Sequence, residues 1–537
     1  MPSGAVDREA RTRGSGPVAG RPAPAGPVAL GVVMPGTASP RTESEVVVVG
    51  AGPTGLWLAS ELALAGVRTS VLEKRTGRSA HARALGLMPR TLEILALRGM
   101  ADAFVAAGRP VPAWHFGLLE ERIRFDVLDT AFPYLLLVPQ TTTESLLEQR
   151  ARELGVDVVT GAEVTGLAQE AGAARVTYER DGVEHALEAA LVIGADGGRS
   201  TVRELAGIPF EGEPSATWGF LGDVVLEAPP APGYRVRTAG GALIVAPLPD
   251  GRHRLTGWDP RRQDADEALD LETLRSSVRD IAGTDFGLRD PTWLSRFGDA
   301  NRLAATYRSG RVLLAGDAAH VHWPTGGLGL NAGVQDAMAL GWRAAAFVRG
   351  SADDAVLDDY AAERRAYGEQ LRISTLTQGA LITARTPAQL ATRATFDRLL
   401  ATEDGNEAIA AWVAGLEPAA ADGEPATGAE RLALPGPDAA ELAAAFEPGR
   451  PVLLVRDDDL LAPLGQALEL AADDVVIRRL PRSRRERLDA PRAVLVRPDG
   501  RIAWTAPADG PVGESLDRAL RAVGFPLPEL PAPVAAR

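Results

Sequence analysis

The chain of 537 residues contains no cysteine. Disulfide bonds, thiolate catalysis and cysteine-ligated metals are therefore excluded. Lysine occurs once, at Lys74, so nearly all of the 57 basic residues are arginines, which we attribute to coding bias rather than to phosphate binding. With 71 acidic residues the net charge is −14, which argues against nucleic acid as the main partner, because phosphate binding requires a basic face.

Histidine and long apolar runs are also scarce. The chain has six histidines, and His320 and His322 form the single close pair, without further ligands at metal-binding spacing, so we predict no metal site. No apolar run reaches the length of a membrane span, and we expect a cytoplasmic protein without membrane partners. The 45% hydrophobic and 24% charged residues are ordinary for a globular chain, whose length predicts about three domains.

The first 43 residues differ from the rest of the chain. They are rich in Pro, Gly, Ala and Arg and show no periodicity, so we predict a disordered tail over 1–43. Translation starting at either Met1 or Met34 fits this pattern, and we expect the tail to be dispensable.

A βαβ unit opens the ordered chain. An apolar strand leads into the glycine turn 50–55, a helix follows, and a second strand ends at Glu73. Gly50 permits the tight turn, Gly52 lets a pyrophosphate approach the main chain, and Gly55 lets helix pack on strand. The helix N-terminus attracts phosphates, and Glu73 is placed for a ribose hydroxyl. Because a carboxylate repels a 2′-phosphate, this unit suits FAD or NAD rather than NADP.

Two further acidic turns follow strands later in the chain. Asp196-Gly197 ends one strand, Gly316-Asp317 ends another, and the glycine-rich turn 323–331 then leads into a helix. Glycines let a ligand approach main-chain N–H groups at a helix N-terminus, where negative charge is stabilised. Between these turns, a hairpin around 249–251 predicts an antiparallel sheet. Its buried face is expected to include Tyr234, Val236, Leu243, Val245, Leu255 and Trp258.

The order of these three motifs resembles the class A FAD-dependent monooxygenases, the para-hydroxybenzoate hydroxylase-like family. The aromatic polyketide oxygenase branch, which includes a Baeyer–Villiger monooxygenase of the mithramycin pathway, is the most similar, from about residue 44 to the C-terminus. The resemblance implies an α/β fold with a Rossmann-like FAD-binding domain and an inserted antiparallel β-sheet domain for substrate. A connector and a C-terminal thioredoxin-like domain without cysteines follow. The implied boundaries are 44–207 and 296–414 for FAD binding, 208–295 for substrate, 415–450 for the linker and 451–537 for the last domain.

The resemblance also implies site residues. Glu73 would hold the adenosine ribose, Asp317 the ribityl hydroxyls, and Asp196 would serve FAD and the nicotinamide cofactor. The full expected FAD-binding set is Gly50, Gly52, Pro53, Thr54, Gly55, Glu73, Lys74, Arg75, Arg83, Gln140, Asp196, Gly197, Asp317, Pro324, Gly327, Gly329, Leu330 and Asn331. The expected substrate contacts are Trp218, Phe220, Tyr234, Leu243, Val245, Trp323 and Leu328.

Two positions depart from the family's commoner residues. Many relatives have glutamine where this chain has Leu328, and proline is common where Trp323 stands. Both departures bear on substrate and reaction type rather than on FAD. No catalytic residue can be named from the sequence, since His115, His253 and Arg237 are possible pocket residues that are as readily explained as surface or satisfied polar groups.

The resemblance implies an FAD- and NAD(P)H-dependent monooxygenase, with NADPH the expected reductant and molecular oxygen the co-substrate. It would insert one oxygen atom into a polycyclic aromatic polyketide during antibiotic biosynthesis, by hydroxylation through a flavin C4a-hydroperoxide. Baeyer–Villiger oxygenation of a ring ketone to a lactone is the alternative reaction. A non-catalytic flavoprotein that sequesters an aromatic drug is the alternative of another class. The expected assembly is a monomer or a homodimer.

Overall fold

The computed structural model describes residues 44–170, 172–417, 420–421, 424–425, 430–433, 439–456, 460, 474–480, 491–507, 509 and 512–526. The predicted tail over 1–43 and the choice between two start methionines lie outside these residues.

The first part of the described chain alternates strands and helices and then forms a three-stranded meander. Its elements are β1 (Val46–Val49), α1 (Pro53–Leu64), β2 (Thr69–Glu73), β3 (Gly86–Leu87), α2 (Pro89–Ala96), α3 (Ala101–Ala107), β4 (Arg109–Val111), β5 (Ala113–His115), β6 (Arg122–Arg124), β7 (Leu135–Leu137), α4 (Gln140–Glu153), β8 (Asp157–Thr160), β9 (Glu163–Glu170), β10 (Ala173–Arg180), β11 (Val183–Ala189), β12 (Leu191–Gly194) and α5 (Thr201–Leu205).

The middle part is mostly antiparallel strands with one helix. Its elements are β13 (Phe210–Glu213), β14 (Trp218–Val225), β15 (Arg235–Thr238), β16 (Gly241–Pro247), β17 (His253–Trp258), α6 (Leu271–Ala282), β18 (Arg289–Gly298) and β19 (Asn301–Ala304).

The last part returns to α/β structure. Its elements are β20 (Arg308–Ser309), β21 (Val312–Leu314), β22 (His320–Val321), α7 (Gly329–Val348), α8 (Ala355–Thr383), α9 (Pro387–Leu400), α10 (Glu403–Ala414), β23 (Ala420–Ala421), β24 (Glu424–Pro425), α11 (Ala439–Ala444), β25 (Val452–Val455), β26 (Val476–Arg479), β27 (Ala493–Val496), β28 (Ile502–Thr505) and α12 (Gly513–Ala522). Short 3₁₀ turns at Gly316–Ala318 and Thr325–Gly327 precede α7.

The central sheet has the strand order β20-β21-β12-β1-β2-β8. Its inner strands pair in parallel, and β1, between β2 and β12, is buried along its whole length. Helices α1 and α7 pack closely, since a Cβ on Gly341 would lie 2.4 Å from Cβ of Glu61, and one on Gly333 would lie 2.2 Å from Oγ1 of Thr54. The N-termini of these two helices are therefore held at the carboxyl edge of one parallel sheet, where ligands bind in such folds. The predicted α/β fold is confirmed.

The second large sheet is antiparallel, with the order β15-β16-β17-β14-β18. On one face, side chains of β16 and β17 form a core with α6 that includes Leu243, Val245 and Leu255. On the other face, Ala242 and Trp258 pack with Trp323. This sheet is therefore covered on one side by its own helix and on the other by the turn that precedes α7.

The C-terminal sheet, β26-β25-β27-β28, is joined to the rest of the chain by buried ionic contacts. Arg497 pairs with Glu363 of α8 at 3.0 Å, and Arg90 of α2 donates to the carbonyl oxygen of Asp499 at 2.6 Å. Within the expected connector over 415–450, the structure describes α11, and Phe446 is buried in the main core. Among the described helices, none is long and apolar enough to cross a membrane.

Candidate cofactor and substrate site

The glycine turn before α1 leaves open space beside its main chain. A Cβ on Gly50 would lie 2.4 Å from the carbonyl oxygen of Ala195, and one on Gly55 would lie 1.9 Å from that of Gly50, so both glycines are required by packing. In contrast, a Cβ on Gly52 would have no atom within 4 Å. Gly52 is the N-cap of α1, and no side chain caps the helix. The turn thus offers free N–H groups in an open space, which fits a pyrophosphate.

The carboxylate of Glu73 lies at the end of β2, beside this turn. It accepts hydrogen bonds from the main-chain N–H of Ala51 at 2.9 Å and from Nε of Arg75 at 2.9 Å. Burial raises the pKa of Glu73, but the hydrogen bonds together lower it by more. The pKa of Glu73 is therefore below its ordinary value. An ionised carboxylate at this position fits a ribose hydroxyl. The next residue, Lys74, has an exposed side chain.

Arg83 and Gln140 lie on a segment that is tied to the start of α4. Oε1 of Gln140 accepts from the N–H of Ala84 at 3.0 Å, and Nε2 of Gln140 donates to Glu144 at 2.8 Å. The side chain of Arg83 is exposed, and its carbonyl oxygen accepts from Arg254 at 3.3 Å. The hydrogen bonds of Gln140 therefore position the segment that carries Arg83.

Asp196 has a structural function that sequence reasoning missed. Its carboxylate accepts from the hydroxyl of Ser200 at 2.5 Å and from the N–H of Val202 at 3.2 Å, at the start of α5. Burial raises its pKa above the ordinary value for aspartate. The neighbouring Gly197 has a φ of 87° and open space where a Cβ would stand. In this turn the glycine main chain is accessible to a ligand, while the carboxylate is occupied within the protein.

A buried ionic group lies behind the Gly316-Asp317 turn. Oδ2 of Asp336, in α7, accepts from the N–H of Gly316 at 2.9 Å and lies 2.8 Å from Nε2 of His320. Oδ1 of Asp336 accepts from Nε of Arg364, in α8, at 2.7 Å. Burial raises the pKa of Asp336, but the charges of Arg364 and His320 lower it more, so the pKa lies below its ordinary value. This group fixes the turn from the inside.

The side chain of Asp317 itself is exposed and makes no hydrogen bond or ion pair with the described part of the chain. The sequence had placed this carboxylate opposite a ligand, and the structure leaves it free to bind one. The buried Asp336–Arg364 pair was not predicted, although an acidic residue within the apolar helix pattern was a usable signal.

The glycine turn before α7 is held by Asn331. Its Oδ1 accepts from the N–H of Met88 at 2.7 Å and from the hydroxyl of Thr91 at 2.7 Å, and its Nδ2 donates to the carbonyl oxygens of Gly86 and Gly327. Because this amide is fully used, only the main chain of Asn331 is available to a ligand.

The N-terminus of α7 is available for negative charge. Leu328 is the N-cap, and no side chain caps the helix. Gly327 has a φ of 75° and open space where a Cβ would stand, as at Gly52. Main-chain N–H groups of Gly329 and Leu330 in the first turn of a helix have no partner within the helix. They therefore face a ligand position with the positive end of the helix dipole.

A cavity lies between the antiparallel sheet, the turn 323–326 and the end of α8. It contains about 430 Å³ of empty space, counted out to its open side. A Cβ on Gly379 of α8 would lie 3.1 Å from the ring of Trp323, so this glycine lets the ring pack at the cavity wall. The lining residues are His115, Leu118, Ala242, Ile244, Thr256, Gly257, Trp258, Phe297, Trp323, Pro324, Thr325, Gly326 and Ile382.

Most of the predicted substrate contacts lie outside the lining of this cavity. Phe220, Leu243 and Val245 lie in the core with α6, and Tyr234 packs against that core. Since side chains alternate between the two faces of a strand, their neighbours Ala242 and Ile244 line the cavity instead. Trp218 is two residues from Phe220 on β14 and lies outside the cavity lining. The hairpin was correctly placed, but the sequence does not state which face meets a ligand.

Trp323 lines the cavity as expected, whereas Leu328 does not. Leu328 packs with apolar residues of α8 and α10, such as Leu371 and Val413, around a separate space. The structure therefore places Leu328 away from this cavity, and its contact with substrate stays a prediction. Its side chain contributes to a core between helices because α7 begins at the next residue.

Among the possible polar pocket residues, His115 lines the cavity and His253 does not. Burial, followed by the charges of Arg235 and Arg122, lowers the pKa of His115 to about 3. Its Nδ1 is buried and has no hydrogen-bond partner among the residues that the structure describes. Arg237 lies at the edge, where its Nε donates to the carbonyl oxygen of Ile382 at 2.8 Å. At neutral pH, His115 is therefore an uncharged polar group in a wall of mainly apolar side chains.

This combination of open glycine turns at two helix N-termini and an adjoining cavity defines a dinucleotide-binding enzyme of the flavoprotein class. Family comparison agrees with the geometry. Residues 43–374 match the model of the FAD binding domain, and residues 422–524 match that of the aromatic-ring hydroxylase C-terminal domain.

Relatives are similar over most of their length. An uncharacterized aromatic compound monooxygenase of Bacillus subtilis is 40% identical over 481 residues, which cover 87% of this chain and 95% of the relative. A 12-dehydrotetracycline 5-monooxygenase/anhydrotetracycline 6-monooxygenase of Streptomyces rimosus is 37% identical over 482 residues, or 86% and 95% of the two chains. The solved anhydrotetracycline hydroxylase from Streptomyces rimosus matches with a TM-score of 0.79 and 35% identity over 90% and 100%. The chain belongs to the class A flavin-dependent monooxygenase family.

Proposed function

We propose that the chain uses FAD, a reduced nicotinamide cofactor and molecular oxygen to hydroxylate a polycyclic aromatic polyketide in antibiotic biosynthesis. The observation that carries this proposal is the cavity of aromatic and apolar side chains that adjoins the glycine turn before α7. Relatives named for tetracycline intermediates support the substrate class. NADPH is the proposed reductant, and the working unit is a monomer or a homodimer.

The cofactor assignments follow the open main-chain positions. In this proposal Gly52 and Thr54 face the pyrophosphate, Glu73 holds the adenosine ribose and Asp317 holds the ribityl chain. The N–H groups at the start of α7 face the pyrimidine edge of the flavin, where negative charge collects on reduction. FAD would thus span residues 44–207 and 296–414. The sheet over 208–295 and the C-terminal domain over 451–537 supply the substrate wall and packing.

When bound, FAD supplies the oxygen-activating chemistry, and the chain's own residues orient the substrate and exclude water. Phe297, Trp258 and Trp323 present aromatic walls to a planar ring system. His115 is neutral at physiological pH and offers a hydrogen bond without adding a charge. No described side chain of the cavity wall is a charged acid or base, so we assign its residues to orientation rather than to proton transfer.

The test is a panel of tricyclic and tetracyclic aromatic polyketides incubated with the FAD-loaded protein, NADPH and oxygen. Substrate-dependent NADPH consumption and a product that gains one oxygen atom are expected. Because a lactone gains the same mass, NMR of the product separates ring hydroxylation from Baeyer–Villiger oxygenation. Tight binding of the panel without NADPH consumption would instead identify a protein that sequesters an aromatic compound.

A further inference from the structure

The turn that joins β27 to β28 is buried, although it lies at the tip of a hairpin. We define the C-terminal turn as residues 497–501. Its three charged side chains are each no more than 5% exposed, and a Cβ on Gly500 would lie 2.9 Å from Cδ1 of Leu97, just after α2. Connecting turns usually run over the protein surface, where water satisfies their polar groups. The C-terminal turn instead packs against the domain that carries the glycine turns.

Helix α2 is held on one side by the C-terminal turn. Nη2 of Arg90 donates to the carbonyl oxygen of Asp499 at 2.6 Å, and Nη1 of Arg90 pairs with Glu93 of the same helix at 2.9 Å. Arg90 and Glu93 are both buried. Because a buried donor that loses its acceptor is costly, α2 and the C-terminal turn are held together.

The other side of α2 holds the glycine turn before α7. The next residue, Thr91, donates its hydroxyl to Oδ1 of Asn331 at 2.7 Å, and the N–H of Met88 donates to the same oxygen at 2.7 Å. Nδ2 of Asn331 donates to the carbonyl oxygen of Gly327 at 2.9 Å. Consecutive residues of a helix point about 100° apart, so α2 is hydrogen-bonded to the C-terminal turn in one direction and to the Gly327 turn in another.

Helix α8 repeats this arrangement. Arg497 of the C-terminal turn pairs with Glu363 at 3.0 Å, and both side chains are buried. The next residue, Arg364, binds Asp336, which accepts from the N–H of Gly316. Breaking a buried ion pair leaves a charge without compensation, so α8 is fixed to the C-terminal turn as firmly as α2 is.

The turn before α1 depends less on these contacts. Arg98 donates to the carbonyl oxygen of Pro498 at 3.1 Å and pairs with Glu61 at 2.6 Å, but Glu61 lies in the last turn of α1. The opposite end of α1 is positioned by close packing within the turn 50–55, where a Cβ on Gly55 would lie 1.9 Å from the carbonyl oxygen of Gly50. The C-terminal turn therefore supports the two turns before α7 more directly than the turn assigned to the pyrophosphate.

We propose that the C-terminal turn is a positioning element of the cofactor site and sets the main-chain turns that face the flavin half of FAD. The C-terminal domain is thereby a working part of cofactor binding. Arg90 and Thr91 are the positioning residues on α2, and Glu363 and Arg364 are those on α8. The inference rests on the proposed function for the placement of the flavin against the start of α7.

The test compares FAD with ADP, which carries only the adenosine and diphosphate half of the cofactor. Affinities are measured by isothermal titration of the FAD-free, full-length chain. Arg90→Met removes the hydrogen bond to the C-terminal turn and keeps an unbranched side chain. We expect FAD affinity to fall about fivefold or more and ADP affinity to stay within about twofold of wild type. An equal fall for both ligands, or no change for either, would overturn the proposal.

Two substitutions at Thr91 test the second link of the same path. Thr91→Val has nearly the same shape and removes the hydroxyl that binds Asn331, whereas Thr91→Ser keeps the hydroxyl. We expect the valine variant to reproduce the loss of FAD affinity and the serine variant to retain it. Because both changes interrupt one path, Arg90→Met and Thr91→Val combined should lower FAD affinity by less than the product of their separate effects. Independent effects would show that Arg90 does not act through Thr91 and would overturn the proposal.

The reduction potential of bound FAD is a readout that a general loss of stability does not change. Negative charge collects on the reduced flavin, and the N–H groups at the start of α7 stabilise it. A displaced turn stabilises this charge less, so the potential in Arg90→Met and Thr91→Val should be more negative than in wild type. Glu61→Gln breaks the buried pair with Arg98, leaves Asn331 intact and is the matched control. It should lower the melting temperature and change neither the potential nor the ratio of FAD to ADP affinity; an unchanged potential in Arg90→Met would overturn the proposal.

Arg90→Lys serves if Arg90→Met does not fold, since it keeps the charge beside Glu93 and loses the planar fork that also reaches Asp499. A loss of FAD affinity in Thr91→Val but in neither Arg90 variant would keep the flavin against α7 and overturn the role of the C-terminal turn. NADPH oxidation with the polyketide panel is followed on the wild-type protein. The expected affinity ratios without oxygenation would contradict the proposed function and support the positioning role, so the two failures are distinguishable.

Discussion

The glycine turns proposed to bind FAD, here called the cradle, present main chain to a ligand, whereas the adjoining cavity presents side chains. In the cradle, Gly52, Gly197 and Gly327 leave open the space that a Cβ would occupy, and two helix N-termini have no side-chain cap. In the cavity, the lining comes from alternate residues of a sheet, from the turn before α7 and from the end of α8. Main-chain recognition depends on glycine spacing, while side-chain recognition depends on which face of each strand is turned inward.

Two of the three glycines of the first turn, Gly55 and Gly52, separate an effect on folding from an effect on binding most sharply. Gly55→Ala places a Cβ 1.9 Å from a main-chain oxygen, so we expect no stable folded protein. Gly52→Ala meets no atom within 4 Å at an ordinary φ of −76°, so the FAD-free protein should unfold at the wild-type temperature. Its methyl group occupies the space assigned to the pyrophosphate, and FAD affinity should fall about tenfold or more, at about 1.4 kcal/mol per tenfold. Thermal unfolding with and without FAD measures both; unchanged FAD affinity in Gly52→Ala would contradict the cradle.

The buried ionic group behind the cradle should couple stability to FAD binding. Asp336→Asn leaves Arg364 buried without its partner, and we expect a loss of about 3–5 kcal/mol in the free energy of unfolding together with weaker FAD binding. Glu61→Gln is the control, since it breaks the equally buried Arg98 pair away from the Gly316 turn. Denaturant unfolding and FAD titration of both variants are compared. An equal loss of FAD affinity in the two variants would show that Asp336 affects FAD binding only through overall stability.

The exposed carboxylate of the cradle should affect binding alone. Asp317 is assigned to the ribityl chain and makes no hydrogen bond or ion pair with the described part of the chain, so Asp317→Ala should not lower the stability of the FAD-free protein. A charge-assisted hydrogen bond contributes about 1.5–3 kcal/mol, which corresponds to a loss of roughly 10- to 150-fold in FAD affinity. Isothermal titration of the FAD-free variant measures this loss, and wild-type affinity would remove Asp317 from the site.

The cavity should make stability depend on pH through His115. Its pKa is about 3 in the folded protein against 6.5 ordinarily, so the unfolded chain binds a proton between these values and the folded protein does not. Stability is therefore full above pH 6.5 and falls as the pH is lowered towards 3, by up to about 1.4 kcal/mol per unit. His115→Gln lacks this dependence, so the stability difference between variant and wild type should change in favour of the variant as the medium is acidified. Parallel unfolding curves at pH 7 and pH 5 would refute the assignment.

The same contrast explains what the sequence predicts. The glycine turn 50–55 and the acidic strand ends at Glu73 and Asp317 are local patterns, and local geometry fixes their positions in a βαβ fold. The cavity wall depends on which face of each strand is turned towards the cavity. The alternation of side chains does not decide this, because both faces of β16 are apolar. Leu243 and Ile244 are equally hydrophobic, and only the packing of α6 decides which of them faces the ligand.

Long-range polar contacts were also beyond sequence reasoning. The partners of Asp336 come from α8 and from the turn after β21, 28 residues and 20 residues away. Arg235 and Arg237 of β15 likewise donate to carbonyl oxygens of residues more than 100 positions away in the chain. Tertiary packing determines which residues form such pairs. The amino-acid composition shows only that arginine is abundant.

The account is tested most directly by following oxygen itself. The purified, FAD-loaded protein is supplied with NADPH, a polycyclic aromatic polyketide that stimulates NADPH oxidation, and ¹⁸O-labelled oxygen gas. The account predicts a ring-hydroxylated product that carries one ¹⁸O atom per molecule, as measured by mass spectrometry and located by NMR. A product that carries no label, or whose oxygen comes from water, would contradict it.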